Sequence, residues 1–479
     1  MRRVVLLLSA ALAAQDPAKS IERAFRPGTE SAETFTERMA ALAGVHDVAE
    51  PRVLEVLLRA WKGVHEAARQ IERKRVRPAA QKMPSVTELN ERVELNDYLR
   101  LLSTIEDRMR QASGAALAPA LTELLEPRLP LQARAALLDV VPRLGAAEVA
   151  RLREGLRRAR RSEDVWIALR ALAALGKSAQ AAGGEVEALL PHREAIVRTQ
   201  AAATIAALEH RAGTPALIAR LDGDDLREQQ AVVTALTRLT GQRFGAMQAS
   251  WRGWWEAEGA SFVQGEPSEQ RRRPPAPRDA KATRSAYFGI PFDGRSVLYL
   301  VDFSLSMQHK AGAGESLTRW QACTRELGSA IDRLQPGQSF NIVVFAQRVL
   351  AWSDKAMPAD ARNATAAKAW LDDLELELGT SIFEAFEVAF ALAGVRVDDR
   401  AYAPAIDTIY FLSDGLPTIR LPSKPGKLGP DDPELVRALV RRHNPMGAIV
   451  VHAIMLGRAG GGPFMAKLAA ENGGQFVKK

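Results

Sequence analysis

Cysteine is almost missing from this chain: 479 residues hold one, Cys323. A lone thiol cannot cross-link the chain internally. Leu317, Trp320, Leu327, Ile331 and Leu334 recur around it at helical spacing. That pattern predicts a small buried hydrophobe and no nucleophile. Catalytic signatures are missing as well. There is no H-E-x-x-H, no G-x-S-x-G and no Walker A motif, and His65-Glu66 lacks a second His one turn on. The run Gly457-Arg458-Ala459-Gly460-Gly461-Gly462 has no Lys-Ser/Thr behind it and reads as a flexible loop, not a phosphate cradle. No base stands out to activate a metal-bound water, so a hydrolase is disfavoured and the chain is not expected to be an enzyme. Past the first residues no apolar run is long enough to span a bilayer, so the mature protein is expected to be soluble.

What is present begins with a leader-like end. Arg2 and Arg3 precede the apolar run Val4 to Ala13, and Ala11-Leu12-Ala13 is a small-residue cleavage motif. Met1–Ala14 therefore reads as a secretory signal, and the protein as exported, periplasmic or secreted. An apolar content of 47% and a charged content of 25% are those of a globular protein. The length calls for two or more domains. The net charge of +8 favours acidic partners without naming one. Its two dense clusters, Arg73-Lys74-Arg75-Val76-Arg77 and Arg157-Arg158-Ala159-Arg160-Arg161, have no interleaved aromatics for base stacking. Solvated helix faces are the expectation, and nucleic acid is not an expected partner.

From Glu30 to about Trp255 helix formers dominate and no strand pattern occurs. Internal similarity runs from Ala115 to Gly241. Four segments close on Leu144, Leu175, Leu208 and Leu239, spaced by 31, 33 and 31 residues, and a shorter helical stretch precedes each closing helix. Such pairs cannot bury their apolar faces alone and are expected to stack as a solenoid, which resembles HEAT-like repeats. Trp251, Trp254 and Trp255 share one helix face and are expected to cap the stack by packing. The expected boundaries are a signal over residues 1–14, an N-terminal helical region over 20–114, repeats over 115–260 and a Pro/Arg-rich linker over 261–284. A second domain then covers 285–479, where apolar strands alternate with helices, the pattern of a mainly parallel α/β sheet.

That second domain centres on Val297-Leu298-Tyr299-Leu300-Val301-Asp302-Phe303-Ser304-Leu305-Ser306-Met307. An unbroken apolar run predicts a strand buried on both faces. It ends in Asp302, Ser304 and Ser306, which can aim three oxygens at one centre. Oxygen ligands suit a hard cation. Downstream come Leu378-Gly379-Thr380-Ser381-Ile382, opening a helix, and Ile409-Tyr410-Phe411-Leu412-Ser413-Asp414-Gly415, a second strand ending in a carboxylate. The order Asp-x-Ser-x-Ser, Thr, Asp-Gly resembles the von Willebrand factor A domain from about Phe288 onward. Leu305 stands where the common form of the motif has Gly, a departure that removes no ligand. The resemblance implies a Rossmann-like fold with a metal-ion-dependent adhesion site. In it Ser304, Ser306 and Thr380 supply hydroxyls, and Asp302 and Asp414 bind directly or through water. It further implies Mg²⁺ (or Mn²⁺ or Ca²⁺) as cofactor and a protein ligand that contributes a carboxylate. The resulting expectation is an exported binding or adhesion-type protein with the helical repeats as a second interaction surface. The rival is a structural scaffold in which the repeats bind and the metal only stabilises the second domain.

Overall fold

The computed structural model describes residues 16–26, 32–75, 85–265, 286–311, 316–397, 404–421, 424–457 and 460–479. The leader-like Met1–Ala14, Val76-Arg77 of the first basic cluster, most of the linker with Arg271 to Arg273, and Arg458-Ala459 of the glycine-rich run lie outside the described residues. The chain divides into two compact units, Met1–Gly63 with Thr104–Ala282, and Val64–Ser103 with Thr283–Lys479. Among the described residues no helix is long and apolar enough to cross a membrane.

The first unit is helical. Its longer helices Ser162–Leu175, Ala195–Ala207 and Leu226–Thr240 follow shorter ones, Val149–Arg158, Gly183–Glu187 and Thr214–Ala219. Leu117–Leu125 precedes Leu131–Leu137 in the same rhythm. Ser162–Leu175 packs on Ala195–Ala207, and Ala195–Ala207 on Leu226–Thr240. One ion pair recurs two helix pairs further on, 64 residues along the chain. Arg134, fourth in its helix, reaches Asp164, third in the next long helix, at 2.6 Å; Arg198 reaches Glu228 in the corresponding place at 2.8 Å. Asp225 caps Leu226–Thr240 by accepting from the Arg227 and Glu228 amides, and Gly241 ends it in the left-handed region at φ 78°. The tryptophans behave as packing: Trp251 is fully buried, edge-on to Phe244 and Trp254, and donates to the Gly245 carbonyl at 2.8 Å. The second basic cluster is largely paired, Arg157 and Arg158 with Glu154 and Arg161 with Glu163 and Asp164.

The second unit is built on a mixed sheet. A short hairpin of β1 (Ala286–Tyr287) and β2 (Ile290–Pro291) leads into β3 (Ser296–Asp302). Then come β4 (Ser339–Phe345), β5 (Val349–Ala351), β6 (Met357–Pro358), β7 (Thr408–Ser413), the hairpin β8 (Thr418–Leu421) and β9 (Lys424–Pro430), β10 (Val450–Met455) and β11 (Phe476–Lys478). The sheet order is β11-β10-β7-β3-β4-β5 with β6 also on β4. The links from β11 through to β4 are parallel; β5 and β6 run antiparallel to β4. Every residue of β3 and β7 is buried, as unbroken apolar runs demand.

Successive residues point to opposite faces. On one face Tyr299 stacks on Tyr410, in a core shared with Cys323, Leu327 and Ile331 of helix Arg319–Asp332. On the other, Phe411 meets Phe386 of helix Ile382–Leu392 and Phe464 of helix Gly462–Glu471. The chain leaves β3 toward β4 but leaves β7 toward β10, so these neighbouring strands diverge at their carboxyl ends. Such a switch point opens a crevice between the two loops.

Sequence reading put residues 20–114 in one helical region; the structure groups Val64–Ser103 with the sheet unit. Ion pairs fasten it there. Arg92 is buried with its guanidinium 3.3 Å from the Phe383 ring centroid, and it bonds Asp431 at 2.7 Å and Glu384 at 3.2 Å. Arg75, from the first basic cluster, grips both oxygens of Glu387. Arg442 donates to both oxygens of Glu72, at 2.7 and 3.0 Å, and to His65 Nδ1 at 2.8 Å. A guanidinium has no acceptor, so His65 Nδ1 accepts and the proton sits on Nε2.

Candidate metal centre

The carboxyl ends of β3 and β7 carry the candidate residues. Asp302 ends β3 with no exposed surface. Its Oδ1 accepts from the Ser304 amide at 2.9 Å and its Oδ2 from Ser413 Oγ at 2.6 Å. The first bond folds the loop back after two residues, the side-chain-to-backbone turn that Asp favours. A short 3₁₀ turn, Leu305–Gln308, follows and brings Ser306 alongside Ser304, their hydroxyls 2.8 Å apart. Ser306 Oγ then donates to Asp414 Oδ1 at 2.7 Å across the switch point. Ser304, Ser306 and Asp414 thus form one continuous chain of oxygens, and Ser413 ties Asp302 to the same strand end.

Thr380 joins through its backbone. The adjoining Glu377 carbonyl accepts from the Leu305 amide at 2.6 Å, and Glu377 N donates to Phe303 O at 3.1 Å. On its other side, Thr418 N donates to Thr380 O at 2.9 Å and Thr380 N to Thr418 Oγ1 at 2.8 Å. Gly379 before it adopts φ 88°, a conformation open to glycine, and turns the chain into helix Ile382–Leu392. The Thr380 segment is therefore clamped between the Asp302 loop and the chain beyond Asp414.

Burial first, and the charge of Asp414 second, push the Asp302 carboxyl up to about 6; the bonds from Ser304 and Ser413 oppose that rise. A buried carboxylate pair of this kind needs positive charge. Arg319, first residue of helix Arg319–Asp332, supplies some of it by donating to Asp414 Oδ2 at 2.6 Å. Neither Arg319 nor Ser413 was singled out from sequence. Arg319 opens an amphipathic helix like any exposed arginine, but Ser413 carried a signal, since its neighbour Asp414 ends a strand in the way Asp302 does. His309 is exposed and bonds the Ser306 carbonyl through Nδ1 at 2.7 Å, so it serves the loop. Among the described residues no three His, Cys, Asp or Glu side chains gather to hold a metal, so any cation here depends on the hydroxyls. The two carboxylates with the Ser304 and Ser306 hydroxyls are all-oxygen donors, of the kind that suits Mg²⁺ or Ca²⁺ and not a soft metal, and the structure brings Thr380 toward them by its backbone bonds. Cys323 lies apart as expected: buried, hydrogen-bonded to Tyr287 Oη at 3.1 Å, its thiol pushed up to about 12 by burial.

No protein-family model matches the chain. Among curated proteins, human inter-alpha-trypsin inhibitor heavy chain H4 is 27% identical over 188 residues, 39% of this chain and 18% of that protein. The bovine protein of the same name is 26% identical over 183 residues, 38% and 18% of the two chains. The chain thus spans about a fifth of the length of these relatives. Among solved structures, a von Willebrand factor type A protein from Catenulispora acidiphila aligns with a TM-score of 0.31 and 17% identity, over 39% of this chain and 38% of that one. An aerotolerance-related membrane protein from Bacteroides fragilis, carrying multiple mutations to serine, aligns with a TM-score of 0.28 and 15% identity, over 39% and 92%. The architecture itself, a helical half followed by a mainly parallel α/β sheet domain, stands on the element order and strand pairing.

Proposed function

We propose that this is an exported binding protein, not an enzyme, which engages a protein ligand through a divalent cation held by Asp302, Ser304, Ser306, Thr380 and Asp414. The observation that carries this reading is the oxygen chain from Ser304 through Ser306 to Asp414 at the switch point, beside the buried Asp302. Mg²⁺, Mn²⁺ or Ca²⁺ would supply an electrophilic centre for an outside carboxylate. Asp302 and Asp414 offset its charge, the hydroxyls add ligands without charge, and the helical repeats form a second interaction surface. One observation favours the alternative scaffold reading, in which the repeats do the binding: Arg319 already neutralises Asp414 without a cation.

Calorimetric titration of the full chain with Mg²⁺ tests the site. Ser306→Ala and Asp302→Ala should each weaken binding at least tenfold, with circular dichroism unchanged. Wild-type affinity in both variants would refute the ligand assignment.

A further inference from the structure

The Thr380 segment and the chain beyond Asp414 meet where Thr418 N donates to Thr380 O and Thr380 N to Thr418 Oγ1. Contact at one residue fixes a position but leaves an angle free. A second tie runs through the interior. Phe383 and Glu384 stand in the first turn of helix Ile382–Leu392, just after Thr380 and Ser381. Asp431 N donates to the carbonyl of Pro417, three residues past Asp414, at 3.0 Å. Arg92 joins the two. Its guanidinium lies on the Phe383 ring, its Nε donates to Glu384 Oε1 and its Nη2 to Asp431 Oδ2. The contacts close a ring, from Thr380 through Glu384, Arg92, Asp431 and Pro417 to Thr418 and back to Thr380.

A guanidinium suits this place because it is flat enough to stack on a ring and forked enough to serve two carboxylates at once. Stability is a poor account of the arrangement. A buried ion pair is weak ground for stability, and here Arg92 Nη1 and Glu384 Oε2 are buried without a hydrogen-bond partner. What the ring does achieve is a fixed separation between its two sides. The other oxygen of Asp431 accepts from the Asp432 amide at 2.9 Å, so its carboxylate is held and does not turn to follow a displaced partner.

We infer that Arg92 is a positioning residue of the candidate centre, which holds the Thr380 segment at its distance from the Asp414 segment. The inference rests on the divalent-cation reading above and adds that Val64–Ser103 is a working part of the centre and not only a covering of the sheet unit.

The test uses the full chain and two conservative variants whose circular dichroism matches the wild type. Arg92→Lys keeps the charge but loses the fork and the flat face. Arg442→Lys loosens the same helical segment through the Glu72 pair, outside the ring. Metal-free hydrogen exchange reads the ring directly. The Thr418 and Asp431 amides, both bonded within it, should exchange about tenfold faster in Arg92→Lys and at the wild-type rate in Arg442→Lys. Calorimetric Mg²⁺ affinity should fall about tenfold in Arg92→Lys, the low end for a residue that supports metal ligands, and stay within about twofold in Arg442→Lys. Asp431→Asn, which weakens the same tie from its other end, should repeat both results of Arg92→Lys. Unchanged exchange in Arg92→Lys and Asp431→Asn would overturn the positioning role whatever the metal does. Equal loss of affinity in Arg92→Lys and Arg442→Lys would overturn it too, since helix docking in general would then be the cause. A wild-type chain that binds no Mg²⁺ while the exchange difference holds would sink the cation reading and leave Arg92 as the residue that spaces the two segments.

Discussion

The ion pairs that fasten Val64–Ser103 to the sheet unit invite a quantitative perturbation. Arg442 and Glu72 expose 4% and 8% of their side chains, and the guanidinium meets both carboxylate oxygens. Arg442→Met keeps the apolar stem but leaves Glu72 buried without its cation, and also removes the bond to His65 Nδ1. Breaking one partner of a buried pair costs about 3–5 kcal/mol. Glu72→Leu should cost a similar amount by stranding the arginine. The double variant loses both charges together, and the replacement of a buried pair by apolar groups is often close to neutral, so its cost should stay within about 1 kcal/mol. The coupling in the cycle should then exceed about 3 kcal/mol, far outside the roughly 0.5 kcal/mol expected of independent sites. A chain with two compact units need not unfold in one step. The assay is therefore hydrogen exchange of β3 and β7 amides against urea, which reports on the sheet unit alone. Single variants that each cost under about 1 kcal/mol, or costs that simply add, would refute the view that these helices are integral to the unit.

Two further outcomes concern Arg319 and Cys323. Arg319→Met removes the cation 2.6 Å from Asp414 Oδ2, so Mg²⁺ affinity should rise, by about tenfold for some 1.4 kcal/mol of relieved repulsion at an intermediate dielectric; a fall in calorimetric affinity would mean that Arg319 only props the loop. Cys323, with its thiol pushed up to about 12, should resist iodoacetamide at pH 8 in the folded protein and react quickly in denaturant, where the thiol returns to about 8.5. Rapid native labelling would contradict its burial.

How much of this was legible depended on what kind of signal each residue carried. β3 and β7 could be read because Val297 to Val301 and Ile409 to Leu412 are unbroken apolar runs, a pattern only a doubly covered strand needs. Asp302, Ser304, Ser306 and Asp414 could be read because they stand at the ends of those runs. β8 and β9 could not. Lys424-Pro425-Gly426-Lys427-Leu428-Gly429-Pro430 has no alternation and few strand formers, and its pairing with Thr418–Leu421 is a matter of tertiary context. The docking of Val64–Ser103 was hidden for a different reason. Helical periodicity reports that a face is buried but not against what, and Arg92 and Arg442 look like surface residues until Asp431 and Glu72 are seen beside them. Arg319 was hidden likewise, since one arginine among 65 basic side chains carries no local mark of an acidic partner 95 residues away.

The placement of Val64–Ser103 also sets an order of events as the chain is made. Arg92 must wait for Asp431, 339 residues later, and Glu72 for Arg442, 370 residues later. At synthesis rates of 5–20 residues per second, that wait is on the order of 20–70 s. Throughout it, an arginine and a glutamate destined for the interior stand in water without the partners that bury them. The last-made third of the chain therefore decides when the early helices can settle. The loop that must close is among the longest the chain offers, so its closure comes late. A chaperone that shields Val64–Ser103 during that interval would hold these two side chains until their partners are made.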